Sequence, residues 1–183
     1  MTTENRQQKN AVIDQVPVSG DPRWYVLYTR SRHEKYVETH LLQKGLEAFT
    51  PKVTLKKKWS DRTRLVEEPI FKSYCFAKFS LSDKLKIVTQ RGVVNIVHVN
   101  GQYLPIEDSV INALKILVES KLKIDPCPYL KEGDRIVIRK GPLKGLEGYI
   151  VEKRNRNSVL VVSVDAIASS IRCFVDIDCV EQA

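Results

Sequence analysis

The parts of this chain whose residue types and spacing suggest chemistry are basic and aromatic. Arg32, Tyr36, His40 and Lys44 recur every four residues, which on a helix sets them along one polar face. The run Lys56-Lys57-Lys58-Trp59-Ser60-Asp61-Arg62-Thr63-Arg64 is dense in positive charge around one tryptophan. Sixteen basic and seven acidic residues give segment 23–91 a charge of +9, while the whole 183-residue chain stands at +8. The excess therefore lies in that one segment. A positive field confined in this way suits a surface that faces nucleic acid, and equally suits a solvated lysine-rich face.

Enzymatic and metal chemistry find little support. Among three histidines, His33 and His40 stand seven positions apart, and no carboxylate or cysteine joins them persuasively. The four cysteines, at 75, 127, 173 and 179, form no CxxC pair, and the Cys173–Cys179 interval is wrong for a zinc knuckle. They read as small, reduced residues in buried or linker positions. There is no phosphate loop ending in lysine and serine and no nucleophile elbow. No enzyme, cofactor or metal is expected. Hydrophobic residues at 43% and charged residues at 28% are those of a globular chain, with no apolar run of membrane-spanning length. Residues 1–10 have no secretory character, so a cytoplasmic location is expected.

The elements that must position these residues follow from periodicity. Residues 1–21 are polar and aperiodic and read as a mobile tail. Order should begin with the strand Trp24–Thr29. Ser31 and Glu34 have capping-box spacing, so a helix should start there and end at Gly45, with Val37 and Leu41 facing a core. Leu46–Leu55 reads as a strand broken by Pro51, and the basic run as an exposed hairpin. In the strand Tyr74–Phe79, Tyr74, Phe76 and Lys78 point one way and Cys75, Ala77 and Phe79 the other. A short helix over 83–90, a strand over Val93–Val99, a hairpin turn at Asn100-Gly101 and a helix over 107–121 complete the first unit. This order predicts an α+β domain over 22–122, an open antiparallel sheet with helices on one face.

Segment 123–130 contains Pro126 and Pro128 and reads as a stiff linker. Beyond it, short β-rich runs at 135–139, 146–151, 159–164 and 171–177 predict a small barrel over 131–183. In Val137–Ile150 an edge strand should run into Gly141-Pro142, Gly145 should take a positive φ, and Gly148 should let the returning strand bend closely over the first.

That glycine pattern, Gly141, Pro142, Gly145 and Gly148, resembles the KOW motif of ribosomal proteins and transcription elongation factors, which sits in an SH3-like barrel. Trp24-Tyr25-Val26-Leu27-Tyr28, the following helix, Glu68-Pro69-Ile70-Phe71-Lys72-Ser73-Tyr74-Cys75-Phe76 and Arg91-Gly92-Val93 together look like the amino-terminal (NGN) domain of the NusG family. The resemblance covers about residues 23–182. General members of that family usually read Phe-Pro-Gly-Tyr before the strand, where this chain has Phe71-Lys72-Ser73-Tyr74. The departure is closer to specialised paralogues such as RfaH and the antiterminators of capsular polysaccharide operons. A general housekeeping factor is the alternative.

The resemblance implies a monomeric, non-enzymatic factor bound to the clamp helices of RNA polymerase through Tyr28, Phe71, Tyr74, Phe76, Val97 and Val99. Residue chemistry agrees, since Tyr28, Tyr74 and Phe76 could share one sheet face, Val97 and Val99 alternate onto one side of their strand, and an exposed aromatic patch marks a docking surface. Some of the six could equally fill the domain's own core. The family's gate-loop contact falls on Asp83-Lys84-Leu85-Lys86, where Lys84 and Lys86 make different chemistry from the threonine-rich stretch of RfaH. Contacts to the non-template DNA strand fall on Arg30, Arg32, His40, Gln43, Lys44, Gln90 and Arg91, with cations on phosphates and His40 or an amide on a base. The barrel would recruit Rho or a small-subunit ribosomal protein. Its run Val159–Val164 favours strands, so no refolding into helices is expected. A ribosomal or RNA-binding KOW protein is disfavoured because residues 131–183 carry only +1.

Overall fold

In a computed structural model of the chain the described residues are 20–58, 62–120, 122–128, 133–141, 143–154, 157–176 and 180–182. The tail over 1–19, Trp59, Pro142 and Cys179 therefore lie outside the described residues.

The first unit runs β1 (Arg23–Thr29), α1 (Glu34–Gln43), β2 (Glu47–Phe49), β3 (Lys52–Lys58), β4 (Thr63–Pro69), β5 (Tyr74–Phe79), α2 (Lys84–Val88), β6 (Val93–Ile96) and α3 (Asp108–Glu119). Four strands form an antiparallel sheet in the order β2-β5-β1-β6, with β1 and β5 in register from Arg23↔Phe79 to Tyr28↔Tyr74. Strand alternation sends Trp24, Val26 and Phe76 to one face, and Tyr25, Leu27, Cys75, Ala77 and Phe79 to the other. Both faces are covered, which corrects the expected one-sided arrangement. Val37 and Leu41 of α1 and Ile87 of α2 fill the second face, while Ile111, Leu114 and Leu117 of α3 fill the first. Each face is apolar, so each needs its own helical cover.

Local signals set the element ends. Gly45 takes φ +76°, its N–H reaches the Leu42 carbonyl at 2.9 Å, and the Leu46 N–H reaches that of Leu41 at 3.1 Å. This is the Schellman closure of α1. Asn100 (φ 51°) and Gly101 (φ 79°) form a two-residue turn closed by reciprocal Val99–Gln102 bonds of 2.9 and 3.0 Å. The capping box is not formed. His33 is the N-cap of α1, its side chain makes no capping bond to the helix, and Glu34 turns inward to another partner. The strand expected to reach Val99 ends at Ile96, although the Val97 N–H still bonds the Val26 carbonyl at 2.8 Å.

Strands β3 and β4 form a separate two-stranded ribbon, paired from Lys52↔Pro69 to Lys58↔Thr63, as the basic hairpin required. After α3 comes a six-stranded antiparallel sheet of β7 (Ile124–Pro128), β8 (Asp134–Ile138), β9 (Glu147–Arg154), β10 (Asn157–Val164), β11 (Ser169–Asp176) and β12 (Val180–Gln182), in the order β12-β8-β9-β10-β11-β7. Three expectations change here. The proline segment read as a linker holds β7, which pairs with β11 from Ile124↔Cys173 to Pro128↔Ser169 and ends the sheet; prolines are tolerated on such an edge. Strand β8 is internal, flanked by β12 and β9, not an edge. The end strands β12 and β7 are not paired with each other among the described residues, so the pairings describe an open sheet and not a closed barrel. The second sheet continues the core of the first unit: α3 packs on β9 and β10, and one apolar cluster runs from Trp24 and Phe76 through Leu114 to Ile136 and Leu160.

Candidate docking and nucleic-acid surfaces

The α3 side of the first sheet carries the aromatic constellation. Tyr28 and Tyr74 are cross-strand partners with ring centroids 5.8 Å apart and tilted by 53°. Phe76 lies two residues beyond Tyr74 on the same face. It meets Phe71 edge-on at 6.1 Å and Phe49 at 6.4 Å. Tyr74 and Val97 are half-buried against this cluster. The six residues divide by burial. Phe76 (0% exposed) and Phe71 (5%) are core, so they support the patch from below, whereas Tyr28 and Val99 (41% each) reach solvent. Val99 stands apart, in the turn closed by Gln102. The accessible centre is the tyrosine pair.

Two contacts hold the turn before Tyr74. Ser73 has φ +64°, and its carbonyl accepts from the Thr29 N–H at 2.8 Å. Its own N–H donates to the Glu34 carboxylate at 2.6 Å. Glu34 is 4% exposed. One turn along α1, the Glu38 carboxylate is also buried; it accepts from the Thr50 N–H at 3.1 Å and from Lys52 Nζ at 2.8 Å. The inward face of α1 thus holds the base of the β3–β4 ribbon, where β3 begins and where the chain leaves β4 for Ser73.

The outward face of α1 presents the polar constellation. The Tyr36 and His40 rings stack with centroids 5.7 Å apart and 11° between planes, and Arg91 Cζ lies 5.9 Å from the Tyr36 centroid. Lys44 Nζ donates to Gln90 Oε1 at 2.5 Å, and the Gln90 amide also donates to the Lys86 carbonyl. The fold thus brings His40, Lys44, Gln90 and Arg91 together from α1 and the α2–β6 connection. Arg30 is exposed at the start of the β1–α1 loop, where its N–H bonds the Gly92 carbonyl at 2.8 Å. Gln43 is exposed near the end of α1. Arg32 does not continue the helical face: it precedes α1 with φ +63°. Tyr36, which the sequence placed on this face without a site role, is its central ring. Its signal was the spacing to His40.

Lys84 and Lys86 lie on α2, across the sheet from the tyrosine pair. Lys84 Nζ is 5.9 Å from the Tyr103 ring centroid. Lys86 pairs with Asp83 at 2.7 Å, and that hydrogen bond and charge raise the ammonium's pKa. On the ribbon, Lys57 bonds Glu68 and draws its carboxyl below the usual range. Lys35 pairs with Glu67 at 3.2 Å, linking α1 to β4 as Glu38 links it to β3. In the second sheet Gly141 (φ +80°) and Gly145 (φ +88°) occupy left-handed backbone, as the motif required of Gly145. Gly148 allows close approach, but to β10 and not to β8: a Cβ there would stand 2.8 Å from the Val161 carbonyl oxygen. Among the described residues no group of His, Cys, Asp and Glu could hold a metal ion. No described helix is long and apolar enough to cross a membrane.

Comparison with known proteins places the chain. The sequence model of the NusG family, described as transcription termination factor nusG, matches residues 22–115. The chain belongs to the NusG family. A relative, the transcription termination/antitermination protein NusG of Borreliella burgdorferi, is 26% identical over 180 residues, covering 87% of this chain and 97% of that protein. Among solved structures, Thermotoga maritima NusG, described for its domain interaction, is 18% identical over 88% of this chain and 97% of its own, with a TM-score of 0.46. An MjSpt4:Spt5 complex matches at 16% identity over 87% of this chain and 96% of its own, with a TM-score of 0.29. The NusG match spans the strands and helices that carry both constellations.

Proposed function

We propose that this NusG-family protein binds RNA polymerase through the tyrosine side of its first sheet and acts as an elongation and antitermination factor in the cytoplasm. The observation that carries this reading is the Tyr28–Tyr74 pair, set by the β1–β5 register, with Tyr74 packed against the core that holds Phe71 and Phe76. An aromatic pair so supported loses little freedom on docking and suits an interface centre. On this reading Tyr28, Tyr74, Val97 and Val99 meet the clamp helices, and Lys84 and Lys86 face the opposite side of the cleft. The Tyr36–His40–Arg91 group, with Lys44, Gln90, Gln43 and Arg30, meets the exposed non-template strand by stacking and phosphate pairing.

The second sheet, with its KOW-like Gly141, Gly145 and Gly148, serves as the recruiting module, with Rho or a small-subunit ribosomal protein as its partner. Lys72-Ser73 in place of Pro-Gly favours a specialised factor serving long operons, such as those for capsular polysaccharide, over a housekeeping one. Co-purification with polymerase followed by genome-wide occupancy mapping tests the whole reading. The expected result is co-purification with occupancy confined to one or a few long operons. Occupancy at most genes supports the housekeeping role instead, and absence of polymerase overturns the proposal.

A further inference from the structure

The turn Phe71–Tyr74 delivers Tyr74 into β5, yet its own closing bond, from the Tyr74 N–H to the Phe71 carbonyl, is long at 3.4 Å. At its third position Ser73 occupies left-handed backbone, φ +64°, which a residue with a Cβ adopts only when its surroundings require it. Two outside contacts supply that requirement: the Thr29 N–H on the Ser73 carbonyl, and the buried Glu34 carboxylate on the Ser73 N–H at 2.6 Å. The second is charge-assisted, hence the stronger of the two. We infer that Glu34 is a positioning residue that locks the left-handed Ser73 turn and so sets Tyr74 beside Tyr28.

The carboxylate acts across chain segments. It stands in the first turn of α1, whose outer face holds Tyr36 and His40, and it reaches the turn that opens the tyrosine strand. Glu34 thereby fixes the spacing between the polar surface and the docking surface. Without it the half-buried Ser73 N–H loses its partner, and the turn exchanges with right-handed forms that displace Tyr74. A displaced Tyr74 reduces the population competent to dock.

The inference rests on the docking role proposed for Tyr74, and its test separates the two. Affinity for a stalled RNA polymerase elongation complex is measured for the full chain carrying Glu34→Ala, Glu34→Gln, Glu34→Ala with Ser73→Gly, and Tyr74→Ala, alongside Ser73 amide exchange. Glu34→Ala weakens binding about tenfold and speeds Ser73 exchange by a similar factor. Glu34→Gln, which keeps an acceptor oxygen, binds within about threefold of the parent. Ser73→Gly restores the Glu34→Ala variant, because glycine holds a positive φ without help. A double variant as weak as Glu34→Ala, or a folded Glu34→Ala with unchanged affinity, overturns the inference while Tyr74→Ala still shows docking. Should Glu34→Ala not fold, a Ser73 amide unprotected in the parent chain overturns it. Unchanged affinity in Tyr74→Ala overturns the docking role and this inference together.

Discussion

The Tyr36 ring lies parallel to the His40 imidazole, 11° between planes and 5.7 Å between centroids, one turn apart on the solvent side of α1. With Arg91 Cζ 5.9 Å from the same tyrosine ring, the face offers a preformed flat surface beside a positive charge. That combination suits an unpaired base next to its phosphate.

Tyr36→Ala and Arg91→Ala should therefore weaken DNA contact in different ways. Loss of the ring removes a stacking surface worth about 1–3 kcal/mol per base and leaves the salt dependence nearly unchanged. Loss of the guanidinium lowers the salt slope by about one. Titrating a fluorescent single strand at several salt concentrations separates the two. Equal salt slopes for parent and Arg91→Ala would remove Arg91 from the phosphate contacts.

Gly92 joins the two loops that frame this face. Its φ is +94°, and a Cβ placed on it would stand 3.0 Å from Val37 Cγ2 and 3.3 Å from the His33 side chain. Gly92→Ala adds backbone strain to overpacking and should cost about 2–4 kcal/mol of stability. Denaturant unfolding checks this, and a loss under about 1 kcal/mol would show that α1 shifts freely.

Burial pushes the thiols of Cys75 and Cys173 from an ordinary value of 9.0 up to about 12. Both therefore stay neutral in the folded chain at pH 8 and should resist alkylation until the protein unfolds. The sign for stability follows. The unfolded thiols ionise above about pH 9 while the folded ones do not, so stability present below pH 9 drains away as pH rises toward 12. Melting curves from pH 8 to 11 should show the decline, and Cys75→Ala should flatten it. A melting temperature that stays level across that range contradicts the assignment.

Sequence alone carried the local architecture well. Tyr74–Phe79 alternates strictly, and its two faces separate into the two clusters that the alternation required. Gly45 and Asn100-Gly101 punctuate the chain because positive φ is a local property. Long-range partnerships were less legible. Glu34 has capping-box spacing from Ser31, but the half-buried Ser73 N–H, 39 residues away, competes for the same carboxylate and wins. The α3 repeat gave a helix without saying which sheet face it covers. Pro126 and Pro128 suggested a connector because the pairing of β7 with β11 depends on a strand some 45 residues later. In the docking set, Phe71 and Phe76 have the same residue types as an exposed patch, and only tertiary packing places them in the core. The site role of Tyr36 was not legible because its partner Arg91 arrives from another loop.

The most direct measurement is the affinity of the purified full chain for a stalled RNA polymerase elongation complex, compared with Tyr28→Ala, Tyr74→Ala and the double variant. Tyr28 and Tyr74 share one contact, so each single change should weaken binding by at least about tenfold, and the double change should add little beyond the larger single effect. Melting temperatures should stay close to the parent for the exposed Tyr28. Parent-like affinity in a folded double variant would contradict the account.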